Sequence, residues 1–263
     1  MTHVSLKGLE DMLLQTKNFH PRDGLLIFNE DEHKYSIGLI QFLSVTTFIS
    51  KILFKYFDED EISKIINQKE KLEGDKYYGL TDIEIKNLWK EVRDLGTELH
   101  KVIENYYNNI PNNNLNKFEK EFRLFKQFEN EVVLKEGLIP YRTEWKIFDR
   151  ELRLAGTIDM VYKTSRNTFI IYDWKRVEKL SKFNSYSSGI VPGITENTPD
   201  CNYTHYAIQL MLYKYMLEKN YNCVVERMFL LILHPSQVSY IKEEILNYPP
   251  LINNIVDYRI KTK

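Results

Sequence analysis

Two aspartates and a lysine, carried by two short motifs, are the residues of this chain best suited to chemistry. Asp159 ends the run Gly-Thr-Ile-Asp, and Asp173 and Lys175 lie in the run Tyr-Asp-Trp-Lys. Neighbouring strands lie roughly 5 Å apart, so two carboxylates facing each other across a hairpin can share one divalent cation. Hard oxygen ligands favour magnesium or manganese. Alone, Asp-x-Lys on a strand is more often a solvated ion pair, so the interpretation depends on the rest of the chain.

The hydrophobic pattern predicts the strands that would bring these residues together. Residues 152–162 alternate, which places Asp159 on the face of Val161 and opposite Ile158 and Met160. After a polar turn, a second alternating run carries the other aspartate and the lysine. The two runs therefore predict a hairpin with the aspartates side by side.

Two helical patterns add polar residues to the candidate site. In the predicted helix 81–107, His100 and Glu104 lie one turn apart. Residues 202–220 predict a second helix. One stripe of this second helix carries His205, Gln209 and Tyr213. Such residues are common on ordinary helices, so neither pattern identifies a site by itself.

The order of four motifs over about residues 95–213 is far more specific than any one of them. Gly-Thr-x-x-His, Gly-x-x-Asp, Asp-Trp-Lys and Gln-x-x-x-Tyr follow one another. In this the chain resembles the PD-(D/E)XK nuclease superfamily, and specifically its RecB-type branch. That branch includes the RecB nuclease domain, lambda exonuclease, the mitochondrial genome maintenance exonuclease and RecB-like CRISPR-associated nucleases. The resemblance implies a metal-dependent DNA nuclease that hydrolyses phosphodiester bonds. It favours an exonuclease acting from ends and leaves endonuclease activity open.

The resemblance also implies roles for individual residues. The metal ligands would be His100, Asp159 and Asp173, with the Trp174 carbonyl, and Glu144 could reach a second ion. Lys175 would act on the nucleophilic water, either by orienting hydroxide or by taking a proton. Gln209 and Tyr213 would support the site or contact DNA. Glu144 is equally well explained as an exposed strand residue.

The chain departs from the family pattern at several positions. The first half-motif lacks the proline of the superfamily name, and Asp173 stands where many relatives carry Glu. Arg176 replaces a small hydroxyl residue that is frequent there. Only two cysteines, Cys201 and Cys223, are present, whereas an iron–sulfur cluster of the kind found in some relatives needs four thiolates. We therefore expect no iron–sulfur cluster, and small free thiols rather than a disulfide.

A basic stretch beyond the second aspartate is a candidate DNA-binding segment. Arg176, Lys179 and Lys182 precede Phe183 and Tyr186, an arrangement that could follow a phosphate backbone and stack on bases. A solvated loop face explains the same residues nearly as well. The net charge of −1 is a mild argument against tight nucleic-acid binding. The Ser-, Gly- and Pro-rich segment 181–200 predicts a flexible loop, either a substrate gate or an insertion.

Two other function classes remain open at this point. A catalytically silent DNA-binding or assembly module could use the same fold, although the intact set of polar residues disfavours it. A zinc hydrolase could use His100 and Glu104, but no second histidine pair at metal-ligand spacing is evident.

The whole sequence predicts an α/β fold with a PD-(D/E)XK, restriction-endonuclease-like core, in which helices flank a mixed central sheet. We expect residues 1–90 to form a mostly helical wall with a small hairpin, and residues 91–263 to form the nuclease core. With 43% hydrophobic residues, no signal-like N-terminus and no long apolar run, we expect a soluble intracellular protein without a membrane partner. The composition is typical of an AT-rich genome, such as a viral one. Expected partners are single- or double-stranded DNA, and a helicase or a second copy.

Overall fold

An eight-stranded mixed sheet runs through the centre of the protein, with helices packed on both faces. The computed structural model describes residues 13–30 and 32–263. In chain order the strands are β1 (Ile27–Asn29), β2 (Lys34–Ile37), β3 (Ile40–Ser44), β4 (Ile139–Asp149), β5 (Leu154–Lys163), β6 (Phe169–Lys175), β7 (Val225–Ile232) and β8 (Ile241–Glu244). The predicted mixed α/β fold is confirmed.

Seven α-helices and three short helical turns complete the described part of the chain. The helices are α1 (Leu14–Lys17), α2 (Val45–Phe48), α3 (Glu59–Gln68), α4 (Asp82–Tyr107), α5 (Glu119–Phe128), α6 (Asn202–Asn220) and α7 (Pro249–Thr262). π-helical turns at Ile49–Leu53 and Glu129–Val133 extend α2 and α5, and a 3-10 turn at Leu115–Phe118 precedes α5. Within the described ranges, no helix combines the length and the apolar character that crossing a membrane requires.

Helix α4 begins where a capping signal in the sequence indicates. The Thr81 hydroxyl accepts the backbone N–H of Glu84, and the Glu84 carboxylate accepts the N–H of Thr81, so a capping box starts α4. The sequence also predicts a helix over 44–57, and the observed helical segment is shorter because it ends with the π-helical turn at Leu53. A weakly helical lead-in is predicted over 1–23. Its first twelve residues lie outside the described part of the chain, and the described remainder contains α1.

The way the central strand β5 pairs with its neighbours determines where the site lies. Strand β4 pairs with it antiparallel over nearly its whole length. On its other edge, β3 pairs in parallel at Leu154 and Ala155, whereas β6 pairs antiparallel only at residues 160–163. The stretch 156–159 lies between these two partners, so the sheet opens into a fork at the Gly-Thr-Ile-Asp motif.

The simple alternation predicted for β5 is wrong at this fork. Ile158 packs with Val161 in the cluster that includes α2, α6 and α7, whereas Met160 packs in the opposite cluster with α4 and α5. The β4 ladder runs from Trp145 opposite Ile158 to Thr143 opposite Met160, and omits the pair between them. The strand irregularity at Asp159 therefore shifts the alternation by one residue.

Loop 181–200 follows β6 and is tied to the structure at several points. The backbone N–H of Ile190 and the hydroxyl of Thr195 both donate to the Leu53 carbonyl. Val191 and Thr195 are buried. Cys201 and Cys223 are buried free thiols, as expected.

Candidate active site

His100 on α4 reaches across the fork to the sheet. Its Nε2 lies 2.9 Å from the Trp174 carbonyl oxygen. A carbonyl only accepts hydrogen bonds, so Nε2 carries the hydrogen and Nδ1 keeps a free lone pair. Nδ1 lies 3.6 Å from Asp159 Oδ2 and 3.9 Å from Glu144 Oε1. The Trp174 carbonyl thus orients the imidazole so that its ligand atom faces two carboxylates.

Glu144 and Asp159 face each other across β4 and β5 at the irregular point of the ladder. Glu144 has a φ of +45°, a left-handed conformation that is uncommon for a residue other than glycine. Such conformations are held by their surroundings and cluster at functional sites. Donor atoms of His100, Glu144 and Asp159 all lie within 4.8 Å of one another. This grouping differs from the predicted one, in which Asp173 was the third ligand and Glu144 an accessory.

Asp173 and Lys175 form an ion pair on the neighbouring strand. Lys175 Nζ lies 2.6 Å from Asp173 Oδ2, and 4.5 Å from the ring centroid of Tyr206. That Oδ2 atom is buried and accepts no well-directed hydrogen bond, so the contact with Lys175 is ionic. The Trp174 N–H donates to Asp159 Oδ2 at 2.7 Å, which links the two aspartates through the backbone.

Burial governs the protonation of this cluster. It raises the pKa of Asp159 to about 6 and that of Asp173 to about 6, against the opposing effect of Lys175. Burial lowers the pKa of His100 to about 4, and the Lys175 charge lowers it further. For Lys175 itself, burial opposes the charge, but Asp173 and Asp159 outweigh it and raise the pKa. At neutral pH the site therefore holds a neutral imidazole and a charged lysine.

The pKa of Glu144 is also raised well above its usual value. Burial is the largest cause, and the negative charge of Asp159 adds to it. Because ionising Glu144 beside Asp159 is unfavourable, a bound cation would stabilise the charged form of Glu144.

Helix α6 supports the aspartate pair from the other side. Gln209 Nε2 donates to Asp173 Oδ1 and to the Tyr213 hydroxyl, each at 3.3 Å. Tyr213 packs directly on Gly156, where a Cβ atom would lie 2.6 Å from the tyrosine ring and hydroxyl. The glycine of the Gly-x-x-Asp motif is thus needed for close helix packing.

A cavity of about 890 Å³ opens at the fork. Its walls come from α4, β4, β5, α6 and the β1–β2 hairpin. Most of the predicted site residues line it: His100, Glu144, Asp159, Lys175, Gln209 and Tyr213. Asp173 is 1% exposed and lies behind this surface.

Other predicted residues lie elsewhere. His205, predicted to share the cleft, instead pairs with Asp200 at 2.8 Å and is not part of the cavity wall. Arg176 pairs with Glu121 and Lys182 with Glu243, at 2.9 and 2.6 Å. None of Arg176, Lys179 and Lys182 lines the cavity, so their DNA-binding role stays a prediction.

Several cavity residues were not predicted from the sequence. Tyr206 lies three residues before Gln209, a spacing that shares a helix face, and could have been found from it. Tyr35 and Lys146 also line the cavity. The Tyr35 hydroxyl lies 2.9 Å from Thr157 Oγ1, a contact that depends on the fold and has no local signal.

The residues at the fork fit a divalent metal ion. Two carboxylates and a neutral imidazole, with donor atoms within 4.8 Å of one another, are the donor set that hard or borderline cations take. Burial raises the pKa of the Glu144 and Asp159 carboxyls, so a bound cation would favour their charged forms. The identity of the metal and the role of each ligand are matters of proposal.

Comparison with family models identifies the superfamily of the chain. The family model of the PD-(D/E)XK nuclease superfamily matches residues 115–256, or 142 of the 263 residues. The chain belongs to this nuclease superfamily. The matched range contains both aspartates, Lys175 and Gln209, and excludes His100. No curated protein has a matching sequence.

Three solved structures resemble the chain at low identity. The protein SSO0001 is 12% identical with a TM-score of 0.28, and the match covers 54% of this chain and 56% of that one. A candidate exonuclease from Eubacterium rectale is 9% identical with a TM-score of 0.42, covering 84% and 78%. A phage-related exonuclease from Haemophilus somnus 129PT is 15% identical with a TM-score of 0.33, covering 81% and 93%. At such scores these likenesses carry no further conclusion.

Proposed function

We propose that this nuclease is a magnesium- or manganese-dependent deoxyribonuclease that cleaves DNA preferentially from its ends. The observation that carries the proposal is the convergence of His100 Nδ1 with the Glu144 and Asp159 carboxylates beside the Asp173–Lys175 pair. The preference for ends, and membership of the RecB-type branch, rest on the motif resemblance alone.

The donor set assigns a role to each group in this proposal. His100, Asp159 and Glu144 would hold the metal, with Asp173 and the Trp174 carbonyl completing its surroundings. A bound divalent cation offsets phosphodiester charge and acidifies water. Lys175 stays charged because its carboxylate neighbours raise its pKa, which favours electrostatic orientation of the nucleophile over proton abstraction. Gln209 holds Asp173 in place.

The N-terminal third and the basic loop belong to the same proposal. Helices α3 and α4 are joined by the ion pairs Lys86–Asp60 and Arg93–Glu59, consistent with a helical wall beside the cavity. We also propose that the chain divides at residue 90 and that the DNA path follows Lys179. The further proposed partner is a helicase or a second copy, and the proposed location is intracellular.

One assay tests the proposal. Linear and circular DNA, single- and double-stranded, are incubated with Mg²⁺, Mn²⁺ or chelator. We expect metal-dependent loss of linear DNA and slower or absent loss of circles. Asp173→Ala should abolish cleavage, while Asp94→Ala, at an exposed aspartate of α4 outside the cavity, should not. Cleavage by a well-folded Asp173→Ala protein would contradict the assignment of the active site.

Calorimetry separates metal binding from turnover. His100→Ala should weaken Mn²⁺ binding by about tenfold or more, because it removes the oriented Nδ1 donor. Lys175→Ala should lose turnover and keep Mn²⁺ binding, because its proposed role follows metal capture. Unchanged affinity in His100→Ala would show that the imidazole is structural.

A further inference from the structure

An aromatic pair on the β1–β2 hairpin forms one wall of the cavity, away from the acidic cluster. Phe28 and Tyr35 are paired across the two strands and their rings stack, with centroids 4.5 Å apart at 30°. Phe28 is partly exposed and Tyr35 is 7% exposed, and both line the cavity. No group of the proposed metal site uses Phe28.

The pair is held rigidly relative to the site. The Tyr35 hydroxyl lies 2.9 Å from Thr157 Oγ1, two residues before Asp159 on β5. The hairpin continues into β3, which pairs with β5 at Leu154 and Ala155. The aromatic wall and the metal-site carboxylates therefore belong to one sheet.

Two other side chains meet the Phe28 ring. The Nζ atom of the exposed Lys146 lies 5.5 Å from the Phe28 ring centroid, and the His33 ring meets Phe28 edge-on at 5.4 Å between centroids. Lys146 pairs with Thr157 in the β4–β5 ladder, so it lies about 7 Å along the sheet from the level of Asp159. That distance matches about two nucleotides of a stacked strand, which rises roughly 3.4 Å per nucleotide.

We infer that Phe28, backed by Tyr35, is a stacking subsite for an unpaired nucleobase next to the scissile phosphodiester, and that Lys146 binds the phosphate of the same nucleotide. The inference rests on the proposed DNA cleavage and specifies its substrate as a single-stranded end. Glu30 also lines this part of the cavity, and its negative charge opposes phosphate binding. The charge of a single lysine would therefore hold a phosphate only weakly. Stacking supplies the missing affinity, and a long lysine side chain can leave the ring as the base arrives.

The size of the cavity favours the same occupant. About 890 Å³ lies within the range of pockets that enclose drug-sized molecules, and so gives room for one or two nucleotides. An aromatic face accepts any base, which suits a nuclease that degrades a strand without regard to sequence.

A double-mutant cycle between protein and DNA tests the subsite. Binding of a single-stranded DNA of about 10 nucleotides is measured by fluorescence anisotropy in chelator, with the label at either end in turn. Phe28→Leu keeps an apolar packing group and removes the π face. We expect it to weaken binding by about 5- to 150-fold. When one terminal base is replaced by an abasic site, Phe28→Leu should have almost no further effect.

Matched variants complete the design. Tyr248→Leu removes an aromatic ring that is 59% exposed, outside the cavity and outside the predicted basic segment, and should leave binding unchanged. Lys146→Gln should lower the slope of log affinity against log salt by about one unit. Two outcomes would overturn the subsite: Phe28→Leu binds DNA as tightly as the wild type, or it loses the same factor in affinity on normal and on abasic DNA.

The subsite and the proposed function fail in different ways. Tyr186→Ala, in the predicted basic segment, tests the alternative path. If the wild-type protein cleaves and binds DNA but Tyr186→Ala, and not Phe28→Leu, shows the base-dependent loss, the subsite is wrong and the DNA path follows the basic loop. If the wild-type protein neither binds nor cleaves any DNA, both are wrong. Thermal unfolding of each variant verifies that it is folded.

Discussion

Replacing Gly156 by alanine should disturb both the packing and the candidate site. The added Cβ would lie 2.6 Å from Tyr213 Cε1 and hydroxyl, and 2.9 Å from Cζ. Carbon atoms pack at about 3.5–4.0 Å, so the ring must move by about 1 Å. Tyr213 is 2% exposed, so this displacement disturbs the side chains packed around its ring. We expect Gly156→Ala to cost about 1–3 kcal/mol of unfolding free energy, the usual range for overpacking.

The same displacement should reduce activity. A shift of about 1 Å would lengthen the 3.3 Å hydrogen bond from Gln209 to the Tyr213 hydroxyl and loosen Gln209 on Asp173. Misplacement on this scale can lower turnover by about 100-fold. Urea unfolding of the metal-free protein and the rate of DNA cleavage measure the two effects separately.

Two further variants show whether the close contact is the cause. Gly156→Ala combined with Tyr213→Leu removes the clashing ring, so the double variant should be more stable than the summed single effects predict, by about 1 kcal/mol or more. Gly96→Ala on α4 is the control, because its Cβ would meet nothing within 4 Å and should stabilise the helix by up to about 1 kcal/mol. Wild-type stability in Gly156→Ala, or additive effects in the double variant, would contradict the reasoning.

Three other predictions use the same protein. Burial raises the pKa of Asp159 and Asp173 to about 6 in the metal-free protein, so below that pH a metal must displace protons. The Mn²⁺ affinity measured by calorimetry should therefore fall by about fivefold per participating carboxylate between pH 6 and 5. A flat profile would contradict this. Tyr206→Ala should slow cleavage by about 2- to 30-fold, because it removes the ring that contacts the Lys175 ammonium. Tyr206→Phe keeps the ring and should stay near the wild-type rate. An equal loss of rate in both variants would assign the effect to the hydroxyl. Asp23→Ala should lower the free energy of unfolding in urea by about 3–5 kcal/mol, because it leaves the buried Arg142 charge without its carboxylate partner. Adding Arg142→Met to this variant should restore part of the lost stability. A loss below about 1 kcal/mol would contradict the importance of the buried pair.

The elements that carry the motifs could be predicted because their signals are local. Helix α6 has the predicted bounds, and the β5–β6 hairpin follows from two alternating runs joined by a polar turn. Strand β3 was missed because residues 40–44 show little alternation and pair with β5 more than 100 residues away. Strand β8 reads Ile-Lys-Glu-Glu, a polar edge strand with no hydrophobic pattern.

The structure groups the candidate site residues in a way that the sequence alone does not indicate. Glu144 lies with His100 and Asp159 because of a backbone irregularity that no sequence pattern indicates. The predicted basic segment has partners from distant elements, Glu121 on α5 and Glu243 on β8, and these contacts are visible only in the folded chain. Periodicity shows which face a residue occupies, but not which distant charge meets it.

The fork in the sheet explains why these side chains are held in place before any metal or DNA is bound. Where β5 and β6 separate, the Trp174 N–H donates to Asp159 and the Trp174 carbonyl accepts from His100. A buried backbone group left without a partner costs about 1–3 kcal/mol, so the backbone of one strand fixes both side chains. The imidazole hydrogen is thereby placed on Nε2, and the free Nδ1 faces Glu144 and Asp159. The hydrogen bonds that the separating strands no longer make to each other are used to orient the donor atoms of the site.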